Sequence, residues 1–182
     1  MIKKTIIILA AFLAGCTSNK TLKHPLDKSK SKTVVLENGL KVYLLSDPSF
    51  NVSAASVSVE VGSLDNPDDR QGLAHFLEHM LFLGTEKYPD VDEYSSYLKT
   101  YGGYSNAYTA SDHTNYQFQV LPDGFEGALD RFSQFFISPL FTEEYTAREV
   151  NAVNSEHQKN MLNDNWRQFR ISSLFAKEGH PE

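Results

Sequence analysis

His75-Phe76-Leu77-Glu78-His79 is the stretch from which the rest of the chain can be read. On an α-helix, positions i, i+3 and i+4 share one face, so the two imidazoles and the carboxylate converge on one side. That donor set suits a zinc ion, with Glu78 placed to take a proton from water. The competing reading is an amphipathic helix whose histidines are satisfied core residues. Leu73, Phe76, Leu77, Met80, Leu81, Phe82 and Leu83 make the helix apolar almost all round, which predicts burial. Titratable groups buried together need partners, and a metal satisfies all three at once, so the flanks favour the metal.

Two histidines are one protein ligand short of a usual catalytic zinc site. A long helix is expected from Thr142, with Glu143 and Glu144 in its first turn, where negative charge suits the helix dipole. Within it Glu149, Ala152, Val153 and Glu156 fall on one stripe, and the two apolar residues predict that the stripe faces inward. One of the two carboxylates would then meet the metal, and the other would stand behind it to orient a histidine.

His75-Phe76-Leu77-Glu78-His79-Met80-Leu81-Phe82-Leu83-Gly84-Thr85 resembles the zinc helix of the insulysin and pitrilysin peptidases, family M16, whose motif inverts the commoner zinc-protease order. Gly102-Gly103-Tyr104-Ser105-Asn106-Ala107-Tyr108-Thr109, followed by His113-Thr114-Asn115-Tyr116, is similar to that family's strand beside the helix. Arg148-Glu149-Val150-Asn151-Ala152-Val153-Asn154-Ser155-Glu156-His157 is similar to its third-ligand segment. The resemblance implies one zinc per chain held by His75, His79 and Glu156, with Glu78 as general base. It makes Glu149 the acid behind a histidine ligand and leaves His157 outside the ligand set. It also implies that the strand from Ser105 to Thr109 pairs with a peptide substrate, with Asn106 and Ala107 as contacts. Trp166 and the phenylalanines are expected in the core rather than in a peptide pocket. Manganese or cobalt would suit the same ligands.

The amino terminus reads as an export signal. Lys3 and Lys4 precede an apolar run from Ile6 to Ala14, too short to span a bilayer. Leu13-Ala14-Gly15-Cys16 resembles the bacterial lipoprotein box, so residues 1–15 are expected to be a signal peptide and Cys16 to carry lipid. Cys16 is the one cysteine, which excludes an intramolecular disulfide. Residues 16–32, polar and rich in lysine and serine, read as the lipidated cysteine and its tether. The expected location is the bacterial cell envelope, lipid-anchored and facing the periplasm from the outer membrane. Losing Lys3 and Lys4 from 17 basic residues leaves 15 against 23 acidic, a net charge of −8. Such an acidic domain argues against a nucleic-acid partner.

Residues 33–182 would form the catalytic domain, of the α+β class: an antiparallel sheet with helices packed on one face. Thr33 to Glu37 and Leu40 to Ser46 flank Asn38-Gly39, predicting a two-residue hairpin. Val57, Val59 and Val61 alternate with polar residues as a half-buried strand does. A second helix is expected over 92–101, ended by Gly102-Gly103, then strands over 104–110 and 114–121. Asp123 with Glu126 predicts a capped helix whose stripe is Phe125, Ala128, Leu129, Phe132 and Phe136. The function implied is a zinc metalloendopeptidase. Members of the resembled family are longer and enclose a chamber with a second homologous half, so this chain reads as a piece truncated at its C-terminal end. The alternative is a non-cleaving, lipid-anchored peptide-binding or scaffold half.

Overall fold

The hairpin predicted around Asn38-Gly39 forms, with a longer turn than expected. The computed structural model describes residues 23–177, and the chain divides into two units, Met1–Phe50 and Asn51–Glu182. In the first unit, β1 (Lys30–Val35) pairs antiparallel with β2 (Lys41–Ser46), Val35 opposite Lys41. The Leu36 amide donates to the Leu40 carbonyl at 2.9 Å, closing a three-residue loop over Glu37, Asn38 and Gly39. Gly39 sits at φ 86°, where a side chain would be strained, and Asn38 Oδ1 accepts from the Leu40 amide at 3.1 Å. β1 also starts at Lys30, within the stretch read as tether. The signal-peptide residues and Cys16 lie outside the described residues.

The second unit is built on a three-stranded antiparallel sheet of order β3-β5-β4, from β3 (Ser53–Val59), β4 (Tyr104–Thr109) and β5 (Thr114–Val120). Alternation sorts the faces: Tyr116, Phe118 and Val120 are buried, while Gln117 is exposed. Four helices follow the expected order, α1 (Leu73–Met80), α2 (Glu93–Thr100), α3 (Phe125–Gln134) and α4 (Glu143–Met161), and a fifth that was not expected, α5 (Asp164–Ser173), comes after them. Leu98 of α2 and Ala128, Phe132 and Phe135 on and just after α3 meet the buried sheet face, with Leu81 and Tyr94 completing the core. The rings pack edge to face, Phe118 to Phe132 at 5.1 Å and Phe82 to Phe135 at 5.1 Å.

Several local expectations give way to tertiary packing. The α3 stripe includes Phe135, 3 % exposed, whereas Leu129 and Phe136 stay about 40 % open. Asp123 does not cap α3; it lies in a short 3-10 turn, Pro122–Gly124, and Gly124 takes the cap position without a side-chain bond. Nor is α1 buried all round, for Leu73 and Leu77 are 45 % and 42 % exposed; its inward face is Ala74, Glu78 and Met80. At the far end of α1, Gly84 turns the chain at φ 97°, and a Cβ there would fall 2.8 Å from the Pro89 carbonyl oxygen. Thr85 then bridges Pro139, the Glu86 amide donates to Ser138 O at 3.0 Å, and the Leu140 amide donates to Gly84 O at 3.0 Å. This clamp ties the exit of α1 to the entry of α4, and so sets how the two helices approach.

A candidate metal centre between two helices

α1 and α4 bring four of the expected residues together. His75 Nε2 and His79 Nε2 lie 3.2 Å apart, with the rings nearly perpendicular. Glu156 Oε2 stands 3.8 Å from His75 Nε2 and 3.6 Å from His79 Nε2. The helical spacing of four residues produces the first pair; the second helix, presented across the gap, produces the third donor. Glu149, two turns earlier on α4, places Oε1 2.6 Å from His79 Nδ1. A carboxylate so placed favours the tautomer with the proton on Nδ1, which would leave the Nε2 lone pair to face Glu156 and His75.

The donor spacing fits a metal ion. Ligands about 2.0–2.1 Å from a tetrahedral zinc stand about 3.3 Å from one another. The three separations here, 3.2, 3.6 and 3.8 Å, bracket that edge length from just below to a little above. Two imidazole nitrogens and a carboxylate oxygen converging in this way make a donor set that suits a cation. Among the described residues this trio is the one group of metal-ligand type so arranged. His157 lines the cleft and stays outside the trio.

Glu78 lies on the same helix, 8 % exposed, and its Oε2 accepts a hydrogen bond from Thr109 Oγ1 at 2.6 Å. Thr109 ends β4, the strand that walls the site. Nothing in its sequence context marked Thr109 as a partner; only the packing of β4 against α1 puts its hydroxyl over the carboxylate. Tyr116 is also close enough to feel Glu78: burial, with the charge of Glu78 adding, pushes its phenol up to about 12.

These groups open onto a cleft of about 1290 Å³ lined by α1, β4, α4 and the start of α5. Asn106 and Ala107 both line it, on a strand that among the described residues is the last of its sheet, with no strand paired on its outer side. Trp166, expected in the core, lines the cleft from α5 and is 52 % exposed. A break at Asn163 starts α5 as a separate helix, and none of its residues is buried or belongs to the core built on β5.

Comparison with known proteins points to one family. The family model for insulinase (peptidase family M16) matches residues 41–178. Human insulin-degrading enzyme is 51 % identical over 163 residues, which cover 90 % of this chain and 16 % of the human one. The mug138 protein of Schizosaccharomyces pombe, named as a zinc protease, is 52 % identical over 83 % of this chain and 16 % of its own length. The crystal structure of pitrilysin superposes with a TM-score of 0.81 at 39 % identity, covering 88 % of this chain and 17 % of that one. The chain thus spans about one sixth of the length of the curated relatives it matches. Matched by the family model over most of its length, and carrying that α+β fold, the chain belongs to peptidase family M16, the insulinase family.

Proposed function

We propose that the chain is the metal-binding domain of a zinc metalloendopeptidase. The observation that carries this is the convergence of His75 Nε2, His79 Nε2 and Glu156 Oε2, all within 4.8 Å of one another beside a buried carboxylate. Zinc bound by these residues would supply Lewis acidity toward a scissile carbonyl and toward water. Glu149 orients His79 through Nδ1. Glu78 takes the proton from a water in the cleft and returns one to the leaving amine. The outer edge of β4 accepts an extended peptide as an added strand, with Asn106 and Ala107 against its backbone; main-chain pairing of this kind tolerates many sequences.

The names of relatives support the same reading, for they include insulin-degrading and A-factor-processing enzymes. Peptides are therefore the proposed substrates, and a homologous second half the proposed partner. Cys16, by its sequence context, would anchor the protein to the cell envelope. Fatty-acid labelling that survives Cys16→Ser would remove that part of the reading. The activity is tested by zinc content and by cleavage of a quenched fluorescent peptide, with Glu156→Ala as control. One zinc per chain, lost in the variant, together with cleavage, is the expected result. Zinc without cleavage would assign the chain to a peptide-binding half, and no zinc would end the metallopeptidase reading.

A further inference from the structure

We propose that Thr109 is a positioning residue for Glu78, fixing which carboxylate oxygen faces the cleft; this rests on the peptidase reading above. A threonine hydroxyl has one proton to give. Thr114 Oγ1 spends its own on the Val61 carbonyl at 2.8 Å. The 3.4 Å between the Thr114 and Thr109 hydroxyls therefore carries no proton from Thr114. With Glu78 Oε2 as the acceptor 2.6 Å away, the Thr109 proton goes to that oxygen. Oε2 is thereby held against the strand, and Oε1 is the oxygen left for water in the cleft.

The consequence is a defined proton path. When the carboxylate accepts a proton from water, Oε2 is still engaged as acceptor, so the proton rides on Oε1 and stays on the cleft side for the leaving amine. A carboxylate free to rotate would present either oxygen, and a displacement of about 1 Å in a catalytic group is enough to lower a rate severely. Thr109 is itself rigidly placed. It pairs with Thr114 across the β4–β5 register, and the hairpin end is pinned where the Ser63 and Leu64 amides donate to Ala110 O and Ser111 O, each at 2.9 Å. Gly62 allows that approach, since a Cβ there would come within 2.4 Å of Ser111 O.

The test uses the zinc-loaded chain and three variants, Thr109→Val, Thr109→Ser and Thr114→Val. Cleavage kinetics are read beside the infrared bands of the Glu78 carboxylate, isolated by difference against Glu78→Gln. Thr109→Val should lower kcat about tenfold with KM and zinc content unchanged, as expected for loss of orientation in a proton-transferring group. Its carboxylate bands should move, and Thr109→Ser should restore both rate and bands. Thr114→Val, which cuts only the anchor to Val61, should lower the melting temperature while the bands stay in place. Unmoved bands in Thr109→Val would overturn the proposal, as would moved bands with kcat intact, or the same loss of kcat in Thr114→Val. Should the parent chain not cleave, the peptidase reading fails on its own account, and the bands alone decide the orientation of Glu78.

Discussion

His79 shows how a single side chain can be committed at both ends. Its Nδ1 meets Glu149 Oε1 at 2.6 Å, and its Nε2 faces His75 and Glu156. Removing the carboxylate frees the ring to turn and to change tautomer, so Glu149→Ala should retain the three ligands yet bind zinc about 10- to 100-fold more weakly, measured by competition with a chelator. Glu78→Gln should separate binding from chemistry. The amide keeps the volume and a carbonyl for Thr109 but takes no proton, so zinc stoichiometry should persist while peptide cleavage disappears. Cleavage at the parent rate would remove Glu78 from the reaction. Both residues were legible from spacing and resemblance; Thr109 was not, because a threonine in an alternating strand looks like any other until a helix packs over it.

α4 carries Glu149 and Glu156 nearly two turns apart, so its start and pitch decide whether the acids reach the histidines. Thr142 caps it, accepting from the Tyr145 amide at 3.4 Å, and Glu143 and Glu144 suit the dipole there. Thr142→Ala should cost about 1 kcal/mol or somewhat less, the contact being long, and should lower the thermal midpoint without changing zinc stoichiometry. α4 has no buried residue, and Ala152 of the supposed inward stripe is exposed. The helix is held by the clamp between 84–86 and 138–140 and by its contacts with α1, rather than by a broad apolar face. Periodicity therefore located the helix and its acids but overstated its burial. The same limit explains Trp166 and Leu73, whose apolar character said nothing about whether a cleft or a core lay beside them.

In the second unit, the core draws on β5, α2 and α3 and contains two buried phenols, Tyr94 and Tyr116, each held above its ordinary value chiefly by burial. A phenol that keeps its proton more tightly when folded contributes stability that is fully present below its unfolded pKa, about 10, and is lost as pH rises toward the folded value. For Tyr116 that window runs from about 10 to about 12. Urea unfolding should therefore show stability falling across this range, and Tyr116→Phe should flatten the fall; an unchanged slope would mean that Tyr116 does not hold its proton in the folded state. The sequence alone determined whatever local periodicity and spacing encode: the order of the second-unit strands and helices as far as α4, the shared face of His75, Glu78 and His79, and two acids seven residues apart on a later helix. Spacing alone left Glu149 and Glu156 interchangeable, and the resemblance assigned them; the tertiary structure set the distances, with Glu156 Oε2 at 3.8 and 3.6 Å from the two histidines, Glu149 Oε1 at 2.6 Å from His79 Nδ1, and the Thr109 hydroxyl on Glu78. Those distances depend on how α1, β4 and α4 approach one another, and that approach is set by side chains far apart in the chain, where no local pattern records it.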